Sequence, residues 1–124
     1  MHDLKFTDEG LADVKALPKN VKNALKKELQ QTVALDPKGC AEPLTASLEG
    51  WFSFHYLEYR VVYKVFDDLP AVGIVGVGKH DRDATLDIYR KLEALAKTGK
   101  LAESVLATLR GFSFAPPLPS IGSS

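Results

Sequence analysis

The sequence predicts an α+β fold: a small antiparallel β-sheet of three or four strands packed against an N-terminal helical hairpin, with extra helices at the C-terminus. Two observations carry this prediction. Apolar residues recur at helical spacing over residues 8–35, and the period changes to two at Trp51, which is typical of strands. The 124 residues, 45% of them hydrophobic, have the length and composition of one globular domain.

The N-terminal part is predicted to contain one strand and two helices. Residues 3–7 form the strand, and Thr7 is suited to cap a helix whose first turn holds two acids. That helix is expected to end near Leu17. Pro18 fits the first turn of a second helix, residues 19–35, with apolar side chains on one face and lysines on the other. Together the two helices can cover a sheet.

The second half is predicted to contain an antiparallel meander followed by two helices. The strands span residues 51–56, 59–66 and 71–78, with short turns between them. Helices are expected at about 84–98 and 101–110, because apolar residues recur there every three or four positions.

The domain organisation is predicted to be simple. We interpret residues 1–110 as a single domain. Residues 111–124 carry no charge and are rich in Pro and Ser, so we expect them to form a flexible C-terminal tail.

Charge and composition limit the classes of function. Lys plus Arg and Asp plus Glu both total 16, so the bulk basic field typical of nucleic-acid-binding proteins is absent. No apolar run approaches the roughly 20 residues of a membrane span. A single cysteine and three histidines without ligand spacing predict neither a metal nor another cofactor. Because the start of the chain has no signal-peptide core, we expect a cytoplasmic protein without membrane contact.

Residues 73–80 superficially match a phosphate-binding loop. The spacing Gly-x-x-x-x-Gly-Lys is present, but His80 stands where that motif needs Ser or Thr to hold magnesium. The interior is β-branched, which is typical of a strand. We therefore interpret these residues as a strand whose glycines allow a neighbouring element to approach closely.

Four segments in this order resemble the RelE/ParE superfamily of toxins. Residues 59–65, Tyr-Arg-Val-Val-Tyr-Lys-Val, resemble the family's "YRxxYxV" strand, and residues 48–55 resemble the strand before it. Residues 75–82 resemble the last strand and its basic exit, and Tyr89 resembles the closing tyrosine. The resemblance covers about residues 3–92, and the chain extends past the usual end of the family.

The resemblance implies the toxin of a type II toxin–antitoxin system, neutralised by a cognate antitoxin. Two kinds of activity remain open. A RelE-like toxin would cleave mRNA on the ribosome without a metal, through attack of a ribose 2′-hydroxyl on the adjacent phosphate. A ParE-like or degenerate toxin would act by binding protein, either DNA gyrase or the antitoxin alone.

The resemblance also implies the site. The basic and aromatic working groups of RelE-like toxins correspond by position to Arg60, His80 and Tyr89. Arg60 would hold the scissile phosphate, His80 would transfer a proton, and Tyr89 would stack on a base or donate a proton. Nearby cations would favour the neutral, proton-accepting form of His80. Further substrate contacts are expected from four side chains: Lys79, Arg82, His55 and Lys64.

Chain topology supports this site, whereas the composition of the first meander strand favours the protein-binding alternative. Counting outward from the turn at residues 67–70 places Arg60 and His80 at the same end of the sheet. However, the family's first-strand lysines have no counterpart in residues 51–56, which favours the protein-binding alternative. Each candidate also has a purely structural alternative. Arg60 would then pair with an acid at position 58 or 67, His80 would be a solvated loop residue, and Tyr89 would belong to the core.

Overall fold

The computed structural model of the chain describes residues 1–83 and 87–110, which form a mixed sheet with helices packed on each face. The strands are β1 (Asp3–Phe6), β2 (Glu42–Pro43), β3 (Phe52–Tyr56), β4 (Tyr59–Phe66) and β5 (Ala71–Lys79). The helices are α1 (Asp8–Lys15), α2 (Lys19–Glu28), α3 (Ile88–Lys97) and α4 (Lys100–Leu109). A π-helical turn (Leu29–Val33) continues α2, and a 3-10 turn (Ala46–Leu48) precedes β3.

The predicted α+β class, the antiparallel meander and the N-terminal helical hairpin are confirmed. The sheet is larger than the predicted three or four strands, because its order is β1-β5-β4-β3-β2. The first strand lies parallel to β5, while all the other pairs are antiparallel. Only two residues of β2 pair with β3, too few to produce a period-two pattern in the sequence.

The helical hairpin covers one face of the sheet. Thr7 caps α1 as predicted, since its hydroxyl oxygen accepts a hydrogen bond from the Gly10 amide at 3.0 Å. Buried apolar side chains of α1, α2 and the π-helical turn pack against alternate residues of the strands. The members of this cluster are Val14, Leu25, Leu29, Val33, Phe54, Val61, Tyr63, Val72, Ile74 and Val77.

The opposite face is covered by α3 and α4, and the glycines of β5 make this possible. A side chain at Gly76 would lie 3.1 Å from Cδ1 of Ile88, and one at Gly78 would lie 3.2 Å from its Cβ. Gly73 is similarly close to Val105 of α4. The interpretation of residues 73–80 as a strand that a neighbour approaches closely is therefore confirmed. The neighbours are the C-terminal helices.

We expect Gly76→Val to destabilise the protein by about 1–3 kcal/mol, because the added methyl groups would displace Ile88 and Leu92 of α3. Chemical denaturation of the purified protein measures the change. Ala94→Val is the control, since it creates the same side chain by adding two carbons at an exposed position of α3. Equal stability of the two variants would contradict the close packing of α3 on β5.

Two of the predicted segments include residues that the structure does not describe. Residues 84–86 of the predicted helix 84–98 and the predicted tail, residues 111–124, lie outside the described residues. The single domain over residues 1–110 stays a prediction. None of the helices described within residues 1–83 and 87–110 has the length and hydrophobicity of a membrane span.

Candidate functional site

The candidate site lies where β4 begins and β5 ends, on the sheet face that α3 covers. His55 of β3 pairs with Arg60 of β4, which in turn pairs with Gly78 of β5. Directly opposed residues share a face, and Gly78 abuts Ile88 of α3, so His55 and Arg60 lie side by side on that face. His80 follows two residues after Gly78. The predicted placement of Arg60 and His80 at one end of the sheet is therefore confirmed.

A buried carboxylate engages His80. Its Nδ1 lies 2.6 Å from Oδ1 of Asp87, which is only 4% exposed. The same Asp87 oxygen accepts the Asp81 amide at 2.8 Å, and its second oxygen accepts the Arg90 amide at 3.1 Å, which caps α3. The charged group in contact with His80 is thus an anion, whereas the sequence predicted cations around it.

Hydrogen bonds keep Asp87 ionised. Burial by itself would raise the pKa of this carboxyl, but the hydrogen bond from His80 and those from two backbone amides outweigh burial. The net effect holds the pKa of Asp87 below its ordinary value. An ionised carboxylate can only accept hydrogen bonds, so Nδ1 of His80 is the donor.

The lowered pKa of Asp87 predicts a pH-dependent contribution to stability. A carboxyl with a depressed folded pKa stabilises the protein above its unfolded pKa, about 3.9, and loses that contribution as the pH falls through the folded pKa. We therefore expect the melting temperature of the natural protein to exceed that of Asp87→Asn at pH 6, and the difference to shrink as the pH falls below about 3.9. Asn keeps the cap without titrating. A difference independent of pH would contradict this assignment.

Tyr89 bridges the site across the sheet. Its hydroxyl lies 2.7 Å from Oγ of Ser53, a fully buried residue of β3. The His80 ring meets the Tyr89 ring edge to face, with centroids 5.0 Å apart and an interplanar angle of 69°. Tyr89 thus contacts both the exit of β5 and the middle of β3. The Tyr89 ring is half-buried and also packs at the edge of the apolar core beneath α3 and α4. This agrees with the alternative in which Tyr89 belongs to the core.

Arg60 makes none of the ion pairs that its structural alternative required. Its Nη1 donates to the carbonyls of Leu57 at 3.2 Å and Tyr59 at 3.0 Å, at the β3–β4 turn. The acids considered for it have other partners, because Glu58 pairs with Lys79 and Asp67 pairs with Lys38. A guanidinium has five N–H donors, so Arg60 retains donors for a phosphate.

The remaining predicted residues are spread around the site. Lys79 pairs with Tyr59, on the face opposite Arg60, and Glu58 lies 2.8 Å from its ammonium, a hydrogen bond that raises the pKa of Lys79. Lys64 shares the face of Arg60 but lies four residues, about 13 Å, along β4. Arg82 is exposed in the loop after His80. The structure therefore brings together Arg60, His55, His80 and Tyr89, while Lys79 and Lys64 lie apart.

A depression of about 290 Å³ adjoins this cluster at the edge of the sheet. Glu42 of β2 pairs with Ser53, so the Glu42 carboxylate lies on the same face of the sheet as the candidate site. His55 lines the same depression, as does Cys40. Burial raises the pKa of the Cys40 thiol, which makes it a poor nucleophile. The depression offers a polar recess beside the Tyr89 hydroxyl.

Sequence reasoning missed three residues of this site: Asp87, Ser53 and Glu42. Asp87 precedes an apolar-periodic segment, as an N-cap does, so its capping role had a sequence signal. Its contact with His80 had none, because the contact depends on the path of the intervening loop. Ser53 and Glu42 become recognisable only through the strand register.

The arrangement is suited to proton transfer next to an anion. It combines an oriented imidazole, a pair of hydroxyls and a guanidinium on one face. Among the residues that the structure describes, no group of three or more His, Cys, Asp or Glu side chains could hold a metal ion.

Comparison with solved structures identifies similar folds. The RelBE2 toxin–antitoxin complex from Mycobacterium tuberculosis is 26% identical over 63% of this chain and 96% of the matched chain, with a TM-score of 0.60. The isolated RelE toxin of E. coli is also 26% identical, over 79% of this chain and 99% of its own, with a TM-score of 0.57. The intact E. coli RelBE complex matches at 26% identity and a TM-score of 0.55, over 66% of this chain and 100% of the matched one.

Comparison with sequences gives the family. No curated protein sequence matches the chain. Residues 4–84, more than half of the chain, match the family described as the ParE toxin of the type II toxin–antitoxin system, parDE. Asp87 and Tyr89 lie beyond the matched residues. The chain therefore belongs to the ParE toxin family of type II toxin–antitoxin systems, within the RelE/ParE superfamily that its sequence resembles.

Proposed function

We propose that this toxin is an mRNA interferase that cleaves mRNA on the ribosome by metal-independent phosphoryl transfer. The observation that carries the proposal is the convergence of His80, Tyr89 and Arg60 on one end and one face of the sheet. These residues come from β4, from the exit of β5 and from α3. A proton acceptor, a hydroxyl donor and a cation are the groups that cleavage of RNA at its own 2′-hydroxyl requires.

In the proposed reaction His80 is the general base. Its Nδ1 is held by Asp87, and its side chain is 61% exposed, so Nε2 is accessible to a substrate. Nε2 takes the proton of the ribose 2′-hydroxyl as the 2′-oxygen bonds to the adjacent phosphorus. The bond from phosphorus to the 5′-oxygen then breaks. The products carry a 2′,3′-cyclic phosphate and a 5′-hydroxyl.

Arg60 stabilises the reacting phosphate, and Tyr89 protonates the leaving group. The guanidinium of Arg60 stabilises the charge that develops on the phosphate oxygens. The Tyr89 hydroxyl, hydrogen-bonded to Ser53, supplies the proton to the leaving 5′-oxygen. The depression beside Ser53 offers space for a neighbouring base, with His55 and Glu42 at its rim. Arg82 extends the positive charge toward the backbone of the RNA.

A cognate antitoxin is the proposed protein partner. Two similar solved structures are toxin–antitoxin complexes, and they match this chain at 26% identity. The antitoxin segment would lie between the sheet and the helices as an amphipathic helix or an added strand. The apolar residues Leu101, Val105 and Leu109 of α4 pack in that region in the free chain.

Inhibition of DNA gyrase is the second candidate function, and a specific observation favours it. The matching family is the ParE toxin family, and β3 carries no lysine or arginine. In this alternative the toxin acts by binding protein, and His80 and Arg60 have no chemical role. A degenerate toxin that binds only its antitoxin and is not toxic is the extreme form of this protein-binding alternative.

Inducible expression in a bacterial host discriminates between the two candidate functions. We expect growth arrest together with new 5′ ends inside the coding regions of mRNA, mapped by sequencing. The Arg60→Ala, His80→Ala double variant should be folded, should bind the antitoxin and should produce neither effect. Relaxed plasmid DNA and full toxicity of the double variant would instead support gyrase inhibition.

A further inference from the structure

We propose that Asp87 is a positioning residue that fixes the tautomer and orientation of His80. This inference rests on the proposed role of His80 as a base. Asp87 lies three residues beyond the stretch, residues 4–84, that matches the family.

The argument begins with the contacts of Asp87. One oxygen faces Nδ1 of His80 at 2.6 Å and also accepts the Asp81 amide, while the other accepts the Arg90 amide. Each contact fixes the carboxylate from a different side: the loop after β5, the imidazole and the first turn of α3. The carboxylate is 4% exposed, so water competes little for it.

This geometry determines which nitrogen of His80 carries the proton. A carboxylate accepts and cannot donate, so neutral His80 must keep its proton on Nδ1. The lone pair is then on Nε2, the nitrogen that the proposed mechanism uses. An unrestrained neutral imidazole prefers the opposite form, with the proton on Nε2. Without Asp87, most neutral His80 side chains would present an N–H where the reaction needs a lone pair.

The same carboxylate also couples the imidazole to Tyr89. Asp87 caps the helix in which Tyr89 occupies the first turn, and the Tyr89 ring touches the His80 ring. The proton acceptor and the proposed proton donor are thus held relative to one another through one capping side chain. A shift of the α3 N-terminus would displace both groups together.

The test compares Asp87→Ser with Asp87→Asn and the natural chain. Ser is as good an N-cap as Asp, but its shorter side chain cannot cap α3 and also reach His80. Asn has a single oxygen, which caps α3, so its NH2 group faces Nδ1 of His80 in place of the carboxylate oxygen. Ring ¹⁵N NMR of the full chain, recorded above the imidazole titration, reports the tautomer directly. The chain contains three histidines, so assignment is straightforward.

We expect the Nδ1–H form of His80 in the natural chain, and a change to mainly Nε2–H in both Asp87→Ser and Asp87→Asn. On purified ribosomes programmed with a defined mRNA, kcat of Asp87→Ser should fall at least tenfold. KM should be unchanged, because Asp87 does not reach the substrate. The same loss in Asp87→Asn, which keeps the cap of α3, would support positioning over a purely structural role.

Two outcomes would overturn the inference. One is an Nε2–H tautomer in the natural chain, which needs no variant to fold. The other is an unaltered tautomer in folded Asp87→Ser. If the natural chain shows no cleavage while the tautomer still depends on Asp87, the proposed function fails and the positioning role stands. The spectra and the cleavage assay therefore separate the two failures.

Discussion

Replacement of His80 by Ala is expected to slow RNA cleavage by about 10²–10⁴-fold, the range typical for loss of a general base. The fold should be retained, because the imidazole is 61% exposed and Asp87 keeps its two backbone amide bonds. Single-turnover cleavage on purified ribosomes measures the effect. Circular dichroism and antitoxin binding check the fold.

His2→Ala is the matched control for this prediction. His2 also pairs with a carboxylate, 3.3 Å from Asp67, but it precedes β1 at the opposite end of the sheet. Its loss should leave the rate of cleavage unchanged. If His80→Ala cleaves as fast as His2→Ala, His80 is not the base, and the chemistry must lie elsewhere.

Replacement of Arg60 by Ala is expected to lower the rate of cleavage by about 10²–10³-fold, because a donor to the developing phosphate charge is lost. Arg60→Lys should recover only part of the activity, since an ammonium lacks the planar fork of the guanidinium. The same ribosome assay, with thermal melts of each variant, separates catalysis from loss of the turn contacts that Arg60 makes.

Lys64→Ala serves as the control on the same strand and face. Its ammonium lies 5.4 Å from the centre of the Trp51 ring, and its position is about 13 Å from Arg60. It carries the same charge, so a general electrostatic contribution to RNA binding would weaken both variants equally. Equal losses in Lys64→Ala and Arg60→Ala would contradict a specific role of Arg60 at the scissile phosphate.

Periodicity and turn chemistry were sufficient to predict the meander, the helical hairpin and the shared end of Arg60 and His80. They were not sufficient to assign every residue to a face. The register shifts between Val62 and Tyr63, so that Val75 is an extra residue on β5. Regular alternation would put Lys79 on the face of Arg60, whereas the shift places it on the other face, with Glu58.

The long-range contacts of the site had no local signal. The parallel pairing of β1 with β5 joins residues 3–6 to residues 71–74, which no sequence period reveals. The contact between His80 and Asp87 joins residues seven positions apart in the sequence, and its partners are recognisable only once α3 lies on the glycines of β5. The resemblance was sufficient to predict Arg60 as the cation and His80 as the base. The residues that hold them, such as Asp87, could be identified only from the packing of the structure.

The chemistry of the RNA ends produced on purified ribosomes tests the central claim most directly. The natural chain, added to ribosomes programmed with a defined mRNA, should produce fragments with a 2′,3′-cyclic phosphate and a 5′-hydroxyl. The Arg60→Ala, His80→Ala double variant should leave the mRNA intact. Full cleavage by the folded double variant, or intact mRNA with a folded natural chain, would contradict the proposed reaction.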